Sequence, residues 1–97
     1  MKDVLRIQER TATLGAAGET VVWNPIETRH ADVVPLKASA ILAYLQMNSV
    51  VTHKVVFKGF CTVRLGDHRF IWGSRTLMPA LPAQTINGNT VVVVKEC

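Results

Sequence analysis

With only two cysteines in 97 residues, Cys61 and Cys97, and no CxxC spacing, the sequence holds no disulfide framework and no cysteine-built zinc site, and reduced thiols are expected. The three histidines, His30, His53 and His68, are scattered, and no pair stands at metal-ligand spacing. There is no P-loop, and the glycines at Gly15 and Gly18 lack the strand–helix setting of a nucleotide fingerprint. No apolar run approaches a bilayer's thickness, Val91 to Val94 being among the longest. Met1-Lys2-Asp3 leads into an amphipathic stretch rather than the apolar core of a signal peptide, so a cytosolic product is expected. Four or more consecutive Lys/Arg never occur, and the net charge of +4 reads as a solvated basic surface that permits contact with nucleic acid or an acidic protein without requiring it.

Catalytic arrangements are equally sparse. His30 and Asp32 lie two residues apart on one strand face, a spacing that suits a surface salt contact and lacks a nucleophile and a pocket. Cys61 has no base or positive environment supplied by spacing, and Asp67-His68 reads as a turn cap. Aromatics make up only 6% of the chain. An RNA-binding sheet would interleave exposed aromatics with basic residues, whereas Phe57, Phe60, Phe70 and Trp72 read as core. No catalytic residue, metal or cofactor is expected.

What the chain does have is apolar residues, 48% against 19% charged, where about 25% charged is usual. At this length one domain, residues 1–97, is expected, burying somewhat over ~60% of the extended chain's surface. Such a balance gives a folded chain with apolar surface left for a partner.

His68–Leu77 reads as two strands joined by the turn Gly73-Ser74, whose Gly suits the first central position of a type II′ turn. That turn sets Trp72 opposite Arg75, Ile71 opposite Thr76 and Phe70 opposite Leu77. Phe70, Trp72 and Arg75 are therefore structural hairpin residues, the indole and guanidinium placed for a cation–π contact of roughly 0.5–1 kcal/mol. Asn87-Gly88 fits a type I′ turn and sets Thr85 opposite Thr90 and Gln84 opposite Val91. Val91–Val94 then ends the domain, with Lys95-Glu96-Cys97 as an exposed tail.

Upstream, Val4–Thr13 alternates as a half-buried strand, and Leu14–Glu19 reads as a mobile surface loop. Thr20–Trp23 is a short β-prone run stopped by Asn24-Pro25, and Ile26–Val34 is a further strand ended by Pro35. Leu36–Met47 is the one good helix candidate, with Ile41, Tyr44, Leu45 and Asn48 on one stripe and Leu42 and Met47 widening the apolar surface. At about twelve residues it would be marginal alone, so packing inside the fold or against another subunit must hold it. Val50–Lys58 is a strand with Val51, His53, Val55 and Phe57 on one face and Lys54 and Lys58 on the other. Pro79 and Pro82 make the strand after Gly73-Ser74 short or place it at an edge. At least six strands, with one helix between the third and fourth, give a mainly β fold: a small antiparallel β-barrel or sandwich with one inserted helix/loop segment over residues 36–50.

Four stretches in order carry a family likeness: Ile7-Gln8-Glu9-Arg10-Thr11 followed by a Gly-containing loop and Trp23; Ala31-Asp32-Val33-Val34-Pro35-Leu36 before the helix; Val51-Thr52-His53-Lys54-Val55 after it; and Arg69-Phe70-Ile71-Trp72-Gly73-Ser74-Arg75 before a closing strand. Together they resemble the head–tail joining proteins, also called head-closure or stopper proteins, of long-tailed phages. Pro79 and Pro82 depart from the family's regular strand, and Gly59–Asp67 follows its pattern loosely.

The resemblance implies a non-enzymatic structural protein of the virion neck, made in the host cytoplasm. Its partners would be copies of itself in a sixfold or twelvefold ring, the portal-bound adaptor, a tail terminator or completion protein, and packaged DNA in the channel, with no membrane and no cofactor. The ring would close the filled head, retain DNA and present the tail docking face. Carried onto this sequence, Lys37, Ile41, Tyr44, Leu45, Gln46 and Asn48 of the inserted segment would meet neighbours or the lumen. Leu14, Gly15, Gly18 and Glu19 form a second contact loop, and Lys54 and Lys58 would face DNA or an acidic surface. A small nucleic-acid-binding β-barrel is the alternative.

Overall fold

Alternating apolar and polar residues fold the chain into seven strands and one helix: β1 (Asp3–Gly15), β2 (Gly18–Pro35), α1 (Ala38–Gln46), β3 (His53–Phe57), β4 (His68–Trp72), β5 (Arg75–Pro79), β6 (Gln84–Ile86) and β7 (Asn89–Glu96). The computed structural model describes residues 3–97; Met1 and Lys2, with which the reading of the amino terminus began, lie outside the described residues.

Every strand pairing is antiparallel. β1 lies between β2 and β4, β2 pairs with β3, β4 with β5, and both β5 and β3 with β7, so the sheet closes into a barrel. Where the wall closes, it removes the open margins that would otherwise template aggregation. β5 and β6 share one edge of β7 in succession, Leu77–Pro79 against Val94–Glu96 and Gln84–Ile86 against Asn89–Val91. Inside, Leu5 and Ile7 of β1, Ala31 and Val33 of β2, Val55 and Phe57 of β3, Phe70, Leu77, and Val92 and Val94 of β7 form one core. Phe57 and Phe70 meet edge to face, ring centres 5.3 Å apart. The buried hydroxyl of Thr90 accepts the Cys61 N–H and donates to the Gly59 carbonyl, both at 2.9 Å.

Both turn-directed hairpins have the expected registers, Trp72 opposite Arg75 and Gln84 opposite Val91. Asn87 and Gly88 take the positive φ values, 52° and 78°, that a type I′ turn requires. Elsewhere the structure corrects the sequence reading. Asn24-Pro25 does not stop a strand: β2 runs through it. The register against β1 shifts there, Ile7 facing Glu27 and Gln8 facing Pro25, so Ile26 is the extra residue of a bulge. Proline is tolerated because it sits at a bulge on a stretch with no second neighbour, β3 pairing only from Ala31 onward. The helix consequently follows the second strand rather than the third. Leu14–Glu19 is no loose loop but two strand ends joined by Ala16-Ala17.

The helix is shorter than its apolar stripe. It begins after Lys37, whose backbone is extended, and ends as Asn48 turns left-handed at φ 61°. β3 begins at His53, not Val50, although Val51 is buried. Phe60 is not core: it is 76% exposed, because the chain turns at Gly59 and Cys61 takes the inward place. The expected tail is in fact paired, β7 continuing to Glu96 opposite Leu77.

Candidate functional site

Two regions leave apolar surface uncovered. In the first, β1 and β2 outrun the barrel as a two-stranded arm. β4 stops pairing with β1 at Glu9, so beyond Arg10 the ribbon has no strand on either side among the described residues. All twelve residues from Thr11 to Val22 are exposed. The register puts Ala12, Leu14 and Val21 on one face together with Arg10 and Glu19, with Thr11, Thr13, Thr20 and Val22 on the other. The arm's two charges cancel, Arg10 and Glu19 meeting at 2.8 Å. Its root is pinned: the Arg69 guanidinium lies 4.4 Å from the centre of the Trp23 ring and its Nε donates to Gln8 Oε1 at 2.7 Å.

The second region is α1, which has no buried residue. Ala40, Ile41 and Tyr44 are half-buried, while Leu42, Leu45 and Met47 are exposed. Between the helix and the segment joining β5 to β6 runs an open apolar groove of about 620 Å³, lined by Ala40, Ala43, Tyr44, Met47, Leu81, Pro82 and Gln84. The segment 36–50 therefore carries exposed apolar surface, as its composition implied.

The barrel's ends are polar. At the end carrying the Gly73-Ser74 turn, Arg75 stacks 4.4 Å from the centre of the Trp72 ring and binds Glu96 with two nitrogens, Nε to Oε2 at 2.9 Å and Nη2 to Oε1. The hydrogen bond from Arg75 holds the Glu96 carboxyl below the usual carboxylate range, aided by the charges of Arg75 and His53. Thr52 Oγ1 accepts the Glu96 N–H and lies 2.8 Å from His53 Nδ1. At the arm end lies a cleft lined by Glu9, Glu27, Arg29, Phe60, Arg64 and His68, in which Arg29 also lies 3.6 Å from Glu27. Arg29 donates to the carbonyls of Phe60 and Lys58, and His68 Nδ1 accepts the Arg64 N–H. Burial pushes the neighbouring Cys61 thiol up, against the opposing influence of Arg29. Among the described residues no cluster has the makings of a metal site.

The sequence candidates distribute unevenly. Tyr44 lines the groove, Ile41 is half-buried beside it, and Lys37, Leu45, Gln46 and Asn48 are exposed. Leu14, 84% exposed, and Gly15, Gly18 and Glu19 form the arm's tip, and no arm residue lines the groove in the same chain. Lys54 and Lys58 do not share a strand face. Lys54 points outward between Val34 and Val93, half-buried, whereas Lys58 lies past the end of β3. Phe70 is core, and Trp72 and Arg75 make their stack. Sequence reasoning missed the Trp23–Arg69 stack, the role of Glu96, and the groove wall Leu81–Gln84. A signal for that wall exists, since no Asp, Glu, Lys or Arg stands between Arg75 and Lys95.

No family model matches the chain, and no curated protein matches it. Among solved structures, the solution structure of protein SF1141 from Shigella flexneri 2a is similar, with a TM-score of 0.80 over 99% of this chain and 92% of that one. Sequence identity is 13%, so the likeness speaks to the fold alone.

Proposed function

We propose that this chain is a structural, non-enzymatic subunit that assembles into a ring at a phage neck, between the portal–adaptor complex and the tail. One observation carries the reading: a barrel closed and filled on its own nevertheless holds out an arm and a helix with apolar side chains left exposed, Leu14 and Val21 on the one and Leu42, Leu45 and Met47 on the other. Contiguous exposed apolar surface of this kind belongs to interaction sites. The ordered likeness of four stretches to head-closure proteins supplies the setting. In that setting the ring retains packaged DNA and offers a docking face to the tail, with Lys54 and Lys58 as candidate contacts to DNA or an acidic partner surface.

The test is to locate the chain in assembled particles by imaging. Density for it between capsid and tail is expected, and its absence from the neck overturns the reading. Tight DNA binding by the isolated monomer, weakening steeply with salt, would instead favour a nucleic-acid-binding barrel.

A further inference from the structure

The groove beside α1 borders an unpaired strand edge. β6 bonds to β7 along one side only; along the other, Gln84–Ile86 has no strand partner and no backbone hydrogen bond to a described residue. All three residues are exposed. An occupant suited to both features is an extended strand, pairing through its main chain and carrying apolar side chains on one face. The arm is such a strand, for its outer edges are unpaired and Ala12, Leu14 and Val21 share a face.

Charge narrows the choice. The groove's two walls come from stretches with no Asp, Glu, Lys or Arg, one between Lys37 and Lys54 and the other between Arg75 and Lys95. A nucleic acid, an anionic lipid surface or a charged peptide would find no counter-charge there. The arm brings no net charge: Thr11–Gly18 and Thr20–Ile26 are uncharged, and Glu19, on the same face as Leu14 and Val21, is neutralised by its pairing with Arg10. From this match we propose that the arm of one copy docks on the next copy, pairing with the free edge of β6 and seating Leu14 and Val21 in the groove between α1 and Leu81–Gln84. The contact joins two different surfaces, so it propagates from copy to copy and closes where the rotation allows. It deepens the ring reading and rests on it for that closure.

The test uses the full chain with Cys97→Ser, leaving Cys61 buried. Leu14→Cys is made in one preparation and Ala43→Cys in an isotope-labelled second, and the two are mixed and oxidised. The mixed disulfide is expected to form roughly tenfold or more faster than in a control in which Arg6→Cys, on the outer barrel face, replaces Leu14→Cys, since docking raises the local thiol concentration. Adding Val21→Lys to the arm chain should abolish the excess. A rate equal to the control overturns the proposal, as does a Leu14→Cys homodimer forming faster than the mixed product. Self-association by native mass without the mixed disulfide refutes the arm contact and leaves the ring reading standing. The mixed disulfide together with absence from particle necks does the reverse.

Discussion

In the barrel, Leu5, Ile7, Phe57 and Phe70 are fully buried and β1 has a strand on each side, whereas in the arm the same strand continues with every residue from Thr11 exposed and only β2 beside it. The sequence alternates in both halves. What differs is the neighbours: β4 begins at His68, opposite Glu9, and β3 flanks β2 only from Ala31 onward, so the ribbon beyond Arg10 has neither beside it. Alternation thus says that a strand has two faces, not that either is covered. An isolated two-stranded ribbon is marginal in water, so the barrel carries the fold and the arm is held out from it.

The largest effect should come from breaking the covered half. Phe57→Ala removes a fully buried ring and its edge-to-face contact with Phe70. A loss of about 3–5 kcal/mol is expected, read from the urea midpoint. A loss under 1 kcal/mol would mean that the core is less tightly filled than its burial implies.

A smaller effect is expected where the groove's free strand is held. Gly88 sits at φ 78°, and a Cβ built there would touch nothing within 4 Å, so the cost of Gly88→Ala is purely conformational. About 1 kcal/mol is expected. Because β6 pairs, among the described residues, with β7 alone, increased amide exchange should be confined to Gln84–Ile86 and the turn. Exchange spreading into β3 would show that β6 supports the barrel rather than hanging from it.

These two sites also mark what could be read from the sequence. The hairpins at Gly73-Ser74 and Asn87-Gly88 were legible because turn chemistry fixes register over a few residues. The helix's need for cover was legible in its missing charges. Barrel closure through β3 and β7 was not, since nothing local in His53–Phe57 names Asn89–Glu96 as its partner. The arm was hidden because Pro25 reads as a stop unless a bulge and a missing neighbour make it harmless, and both are tertiary facts. The groove wall was hidden because Pro79 and Pro82 drew attention as strand breakers, not as part of an uncharged surface. Lys54 and Lys58 were paired by alternation alone, which ends where β3 ends.

A still smaller effect should come from the ion pair that closes β5 onto β7. Arg75 holds the Glu96 carboxyl lower in the folded chain than in the unfolded one. Its stabilisation is therefore present above the ordinary glutamate range and is lost as pH falls through the depressed folded value. Glu96→Gln should lower Tm slightly at neutral pH and flatten the decline of Tm on acidification. A parallel curve, merely displaced, would mean that other carboxylates set the acid limb. The pair is exposed, so added salt should shrink the difference.

The smallest effect on stability should come from the arm, and its smallness is the sharpest form of the comparison. Leu14→Ser replaces a side chain with almost no cover to lose, Leu14 being 84% exposed. It should shift unfolding by no more than about 0.5 kcal/mol. Arm amides at Thr13 and Thr20 should exchange far faster than those of Val55 and Val92 in the isolated chain. If instead Leu14→Ser destabilises the monomer as a core change does, the arm already packs on its own barrel in solution, and no surface is left over for a neighbour to cover. If stability is untouched while docking on a second copy is lost, then the arm's apolar residues serve contacts made between chains, and alternation that looks like half a core is half an interface.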